Sequence, residues 1–371
     1  MPRATSSFGK RPAAPAGSGS RPSPTSRKPL AISTCRMPPL IINSAPPIEV
    51  PAGASILEAC AAHGILLPSA CGGRGFCGRC AVGVVSGDLT APTPTEENKI
   101  LAEDLAKGLR LACQARIHGA VELRIDPEVM AVRRHTGKLI GKTFLTPDIA
   151  HLRIAVDEKP PFAFRAGQYI QFEGTVAPPP AKPVLRAYSM ATDPSDPLHI
   201  ELMVRHVPNG VCSSWIHEKL QPGQPIAFRG PFGTFHLSGT QAPMVGIAGS
   251  SGMAPLRAIF HDMLKKGIQR PAKFFFGART RQDLFLLDEW AEFEKQAPWF
   301  EFIPVLSHEP PDSPWTGERG MVTDAVARRL PDLTGQEAYL CGSPGMIDAA
   351  MAILTARGMP ADHVFYDKFS V

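Results

Sequence analysis

The chain has 371 residues, enough for two or three domains of about 100–200 residues each. With 44% hydrophobic and 20% charged residues it has the composition of a globular chain, and no run of about 18 uncharged apolar residues offers a membrane-spanning helix. The net charge of +5 is misleading. Arg3, Lys10, Arg11, Arg21, Arg27, Lys28 and Arg36 stand in a segment without an acid, so residues 37–371 are left at −2. A mildly acidic body gives no case for nucleic-acid binding.

The first 36 residues hold six prolines and seven serines and show no apolar periodicity. Such a segment buries too little apolar surface to offset its ordering entropy, and it is predicted to be disordered. Two other readings compete: an Arg/Ser-rich organelle transit segment, or translation starting at Met37. A cytoplasmic location is expected unless residues 1–36 act as a targeting signal.

From Met37 the pattern changes. Leu40–Ile42 and Ile48–Val50 read as strands around a proline-rich turn, and Ser55-Ile56-Leu57-Glu58 is a capping box whose helix stops at Gly64. A cysteine-rich loop follows, then a strand at Ala81–Val85, a helix over Glu96–Lys107, and strands at Leu109–Ala115 and Val121–Ile125. This is a small α+β unit. Residues from about Arg134 to His236 are strand-rich with Gly and Pro punctuation and one helix near Ser213–Lys219, the pattern of a barrel. Beyond Met244, apolar strands at Val245–Ala248, Lys273–Gly277, Phe302–Leu306 and Ala338–Cys341 alternate with amphipathic helices, which predicts a parallel, doubly wound α/β sheet. The expected boundaries are a tail at 1–36 and domains at 37–130, 131–237 and 238–371.

Eight cysteines occur, at 35, 60, 71, 77, 80, 113, 212 and 341. Cys71, Cys77 and Cys80 form a C-x5-C-x2-C run with four intervening glycines, which let the backbone wrap tightly and turn N–H groups toward a negatively charged cluster. Thiolates ligate iron–sulfur clusters and other soft metals, and Cys113 in Leu-Ala-Cys-Gln is the natural fourth ligand. Zinc competes, although zinc sites usually draw on two spaced pairs and no second pair is visible; disulfides are the plainer alternative. Cys60 and Cys35 read as ordinary thiols. The loop resembles the [2Fe–2S] ferredoxin domains with a five-residue first spacing. It is most similar to the ferredoxin domain in the sodium-translocating NADH:quinone reductases, and related to those of soluble oxygenase reductases.

Further along, Arg186-Ala187-Tyr188-Ser189 brings residue types suited to a flavin: a guanidinium for the FAD phosphate, a ring to lie on the isoalloxazine, and a hydroxyl near N5. Gly167-Gln168-Tyr169-Ile170 precedes it. Asn209–Trp215 opens a helix where Gly210, Ser213 and Ser214 suit a pyrophosphate. Together these resemble the ferredoxin–NADP reductase superfamily.

The Gly-rich turn from Gly249 through Gly252 to Pro255, between a strand and a helix, suits a nucleotide pyrophosphate. The resemblance implies that Cys341 and Gly342 sit beside the nicotinamide and that an aromatic near the C-terminus shields the flavin. Phe369 matches that aromatic best and Tyr366 second. On residue chemistry alone, Cys341 is equally a buried strand-end thiol and the aromatics simple packing.

The resemblance, spanning about residues 37–371, implies a β-grasp [2Fe–2S] ferredoxin, an antiparallel FAD-binding β-barrel and a parallel NAD-binding domain. It implies electron flow from NADH to FAD to the cluster to an acceptor. That acceptor is an oxygenase component, a ferredoxin-like protein, a quinone or a metalloprotein; a slow-turnover redox sensor is the reading from another class. The corresponding sodium-pump chain carries an N-terminal membrane helix where this one has a polar tail, so membership of that membrane complex is not expected. NADH is favoured over NADPH. NADPH-using relatives carry Ser-Arg after the third strand, whereas here His308 and Glu309 follow Ser307, and Glu309 is expected at the ribose. Arg279 and Arg281 are expected at the solvent or the adenosine rim.

Overall fold

The computed structural model describes residues 37–157, 162–176 and 183–369. The readings for the 1–36 tail and for Cys35 fall outside the described residues. Three separate sheets follow one another along the chain.

The first has five strands in the order Ile48–Glu49, Pro39–Ile42, Ile117–Arg124, Ala81–Leu89, Leu109–Leu111. Its only parallel pair joins Pro39–Ile42 to Ile117–Arg124, and Ile56–Ala62 supplies the helix of a β-grasp. The capping box forms as expected, with Ser55 and Glu58 each serving the other's main chain. The helix expected over Glu96–Lys107 is in fact two pieces, Pro94–Glu97 and Ala102–Ala106. Glu96 is the cause. Its carboxylate turns inward to cap Thr93 and to meet the Arg110 guanidinium, and Ile100 is buried after it, so the chain restarts from extended backbone at Leu101.

The second sheet is antiparallel, in the order His199–Arg205, Ile149–Val156, Arg133–Thr146, Pro225–Phe232, Tyr169–Gly174, Val184–Ser189. A single bridge between Met190 and Leu202 joins its two edges and closes the barrel. Phe172, Phe228, Leu152 and Ile200 fill it, because alternate residues of each strand point inward.

The third sheet is wholly parallel. Its order is Glu318–Arg319, Phe300–Leu306, Ala272–Ala278, Met244–Gly249, Glu337–Gly342, Val364–Lys368. The chain winds outward from Met244–Gly249 and then returns to its other side at Glu337–Gly342. The crevice at the carboxyl ends of those two strands is therefore the switch point where such sheets bind ligands. The core on one face of this sheet runs on into the barrel through Ile149, Ala191, Met203 and Phe235, which fixes the two to one another.

Glu337 anchors the entry to this sheet. Its carboxylate accepts hydrogen bonds from Ser238 Oγ (2.6 Å), Thr240 Oγ1 (2.7 Å) and Tyr339 Oη (3.0 Å), and pairs with the fully buried Arg270 at 2.8 Å. Burial alone would raise its pKa, but these donors hold it at about 2. Its stabilisation is present above the ordinary carboxylate range and is lost as pH falls through about 2. Glu337→Gln strands Arg270 without a counter-charge and is expected to cost about 3 kcal/mol. A urea transition followed by tryptophan fluorescence checks this; an unshifted midpoint contradicts it.

Candidate functional site

Residues 70–80 form an open loop rather than a helix or strand. Gly72, Gly73, Gly75 and Gly78 take φ between +68° and +85°, a backbone that side-chain-bearing residues adopt only under strain. The loop thereby folds its thiols together. Cys77 Sγ donates to Cys71 Sγ at 3.5 Å, and Cys80 pairs with Cys113, which lies in the turn just past Leu109–Leu111. The Cys77 thiol and the amides of Phe76 and Arg74 push the Cys71 pKa down. The Cys80 thiol, the Gln114 side chain and the Gly75 amide do the same at Cys113. Four sulfurs ringed by N–H donors fit a [2Fe–2S] cluster, which takes four thiolates. Cys60 is different: it is buried in the ferredoxin core, and burial pushes its thiol up to about 12.

A cavity of about 700 Å³ opens between the three sheets. From the barrel, Arg186, Tyr188 and Ser189 reach its wall, all carried by the strand Val184–Ser189. Gly210 and Ser213 also line it. A Cβ on Gly210 would stand 2.9 Å from the Val207 carbonyl oxygen and against Ser213 Oγ, so glycine lets the helix start close to the wall. Ser214 does not line the cavity; its hydroxyl is 3.1 Å from His206 Nε2.

The nucleotide sheet contributes Gly249, Ser250 and Ser251 from the turn, Gly342 from the end of Glu337–Gly342, and Phe369 from just past Val364–Lys368. Gly252 and Pro255 lie behind this wall. A Cβ on Gly252 would fall 2.2 Å from the Cys341 carbonyl oxygen, so its part is close packing of turn on strand. Cys341 is fully buried and reaches the cavity only through its neighbours. Phe369 donates its amide to Gly342 O at 2.8 Å, whereas Tyr366 is half exposed and off the wall.

Glu309 is given another partner. It accepts from the Arg281 amide (3.0 Å) and Nε (2.7 Å), its side chain is 3% exposed, and it does not line the cavity. In that stretch Arg279, Asp283 and Ser307 face the cavity instead.

Two residues at the site carried no motif. Asp367 lies opposite Cys341 in the parallel pairing, its carboxylate 3.5 Å from Ser189 Oγ and nearly inaccessible. Burial raises its pKa against the pull of its partner, Arg79 of the cysteine loop. A lone acid two residues before Phe369, directly after Phe365 and Tyr366, was the one visible signal.

A cluster loop, a flavin barrel and a nucleotide sheet around one cavity define an iron–sulfur flavoprotein reductase. Family models agree segment by segment: a 2Fe-2S iron-sulfur cluster binding domain at residues 42–118, an oxidoreductase FAD-binding domain at 136–237 and an oxidoreductase NAD-binding domain at 247–352. The chain is 36% identical to the electron transfer component of xylene/toluene monooxygenase of Pseudomonas putida, over 86% of this chain and 90% of that one. It is 32% identical to one chain of the Na(+)-translocating NADH-quinone reductase of Neisseria gonorrhoeae, over 88% of this chain and 90% of that one. Among solved structures, the cytochrome P450 reductase of Amycolatopsis superposes with a TM-score of 0.74 at 31% identity, over 90% of this chain and 99% of that one. The chain belongs to this family of [2Fe–2S] flavoprotein reductases, and is an oxidoreductase that uses FAD, a [2Fe–2S] cluster and a nicotinamide nucleotide. No helix among the described residues is long and apolar enough to cross a membrane.

Proposed function

We propose that the protein draws electrons from NADH and delivers them singly to an acceptor protein of the oxygenase-component type. The observation that carries this reading is the shared cavity, whose wall takes residues from the cluster loop, the flavin strand and the nucleotide turn. Bound FAD supplies the change from two-electron hydride chemistry to one-electron transfer, and the cluster carries one electron at a time.

The chain's own residues hold and orient these groups. Cys71, Cys77, Cys80 and Cys113 would ligate the iron. Arg186 would pair with the FAD pyrophosphate, Tyr188 would offer its ring to the isoalloxazine, and Ser189 would offer its hydroxyl to the reacting edge. Gly210 and Ser213 bring main chain close to the phosphates. Gly249 and its neighbours would cradle the nicotinamide nucleotide, Cys341-Gly342 would position the nicotinamide, and Phe369 would shield the flavin. An oxygenase partner is supported by the monooxygenase electron transfer relative and by the propane 2-monooxygenase reductase component of Rhodococcus jostii, 34% identical over 87% of this chain. We assign the reaction to the cytoplasm, whose reducing poise keeps thiols such as Cys60, Cys212 and Cys341 from forming disulfides. NADH turnover with an artificial acceptor is expected near ~10 per second; below about one per minute, the electron-transfer reading fails.

NADH is expected to exceed NADPH in kcat/KM, because Asp283 lines the cavity beside Arg279 and offsets its charge, and Glu309 occupies Arg281. Glu309→Ala frees Arg281 to meet a 2′-phosphate and should raise kcat/KM for NADPH about tenfold, the scale of one hydrogen bond to a charged group. No gain with NADPH removes this explanation of the preference.

A further inference from the structure

Arg79 stands between two of the cluster cysteines, yet its side chain leaves the ferredoxin sheet. The guanidinium forms an ion pair with Asp367 of the C-terminal strand and lies over the ring of Tyr169 in the barrel, 5.4 Å from its centroid. Its Nη2 is also 3.4 Å from Lys368 O. One side chain thus touches all three parts of the molecule. Both anchors lead to the reacting groups: Tyr169 pairs with Ser189 across the barrel strands, and Asp367 faces Cys341 and Ser189. Beside it, a Cβ on Gly72 would meet Leu185 O at 3.7 Å, so the loop packs on the strand that carries Arg186 and Tyr188.

Docking alone does not call for this pair. An apolar joint of Leu66 against Val132, Tyr169, Ala187 and Phe232 already seats the ferredoxin unit on the barrel. Burying a carboxylate against a cation costs desolvation that the attraction barely offsets, and such pairs are best attested where they fix a register. A register here is the distance from cluster to flavin.

We propose that Arg79 is a positioning residue for electron transfer from flavin to cluster, holding the Cys71–Cys80 loop in its seat through Asp367 and Tyr169. The inference rests on the reading of the function given above. Electron transfer between groups that do not touch slows with each ångström added to their separation, so a loosened seat lowers the rate.

The test mixes cluster-loaded, FAD-loaded protein anaerobically with NADH. Flavin absorbance and freeze-quenched cluster EPR are followed, and amide hydrogen exchange of residues 70–80 and 364–369 is measured in the oxidised protein. In Arg79→Gln, cluster reduction relative to flavin reduction is expected to slow about tenfold, with faster exchange in both segments. Arg79→Lys, which restores the charge without the planar stack, should recover part of each. If the glutamine variant fails to load its cluster, the lysine variant is compared with the parent, with a slowing of about threefold expected. A variant ratio within the parent's error, or a slowed ratio with unchanged exchange, overturns the proposal. Absence of cluster reduction in the parent protein overturns the proposed function instead.

Discussion

Cys71→Ser protein, loaded with FAD and mixed with NADH, should bleach its flavin at close to the parental rate while showing no [2Fe–2S] signal. The separation follows from where the groups stand. Cys71 reaches the cavity as part of a thiol set held by the loop and by Cys113, whereas the residues we propose for nicotinamide and flavin, Gly249–Ser251, Gly342 and the strand Val184–Ser189, come from other parts of the wall. Serine keeps the shape but offers a hard, protonated oxygen where a thiolate is required. Altered partners around bound metals already cost 10- to 100-fold, so loss of a ligand should lower delivery to a protein acceptor by about a hundredfold or more. Cys60→Ala is the control, since that buried, protonated thiol serves the core and should leave the cluster in place. Loss of flavin reduction along with the cluster, in folded Cys71→Ser protein, would refute the assigned order.

Arg186→Ala should release FAD. The side chain reaches the cavity from the centre of the flavin strand, and its guanidinium suits a diphosphate through paired, charge-assisted hydrogen bonds. A hydrogen bond to a charged group contributes about 1.5–3 kcal/mol, which corresponds to a 10- to 100-fold weaker FAD affinity. Flavin fluorescence on titration of FAD into stripped protein reads this directly. Parental affinity in the variant would move the phosphate elsewhere on the wall.

Local pattern carried most of the fold and part of the site. Ser55 and Glu58 announced a helix start because a capping box is complete within four residues. The four strands expected in the nucleotide domain were legible because buried parallel strands read as continuous apolar runs between turn residues. The cysteine loop and Arg186-Ala187-Tyr188-Ser189 were legible because each packs its chemistry into a few consecutive residues. What local pattern could not carry was the direction of a side chain relative to distant chain. Glu96 looked like the first residue of one long helix, but it closes the capping box of a short one and turns inward to Arg110. Glu309 looked free for a ribose, yet Arg281, 28 residues earlier, occupies it. Arg79 and Asp367 are separated by 288 positions, so nothing near either residue advertised the other.

The central claim is that electrons pass from NADH through FAD to the cluster. Anaerobic mixing of NADH with protein that holds its cluster but has been stripped of FAD tests it most directly. The account predicts that the cluster stays oxidised until FAD is restored, and that its EPR signal then appears after the flavin bleaches. Reduction of the cluster at the same rate without FAD would contradict it.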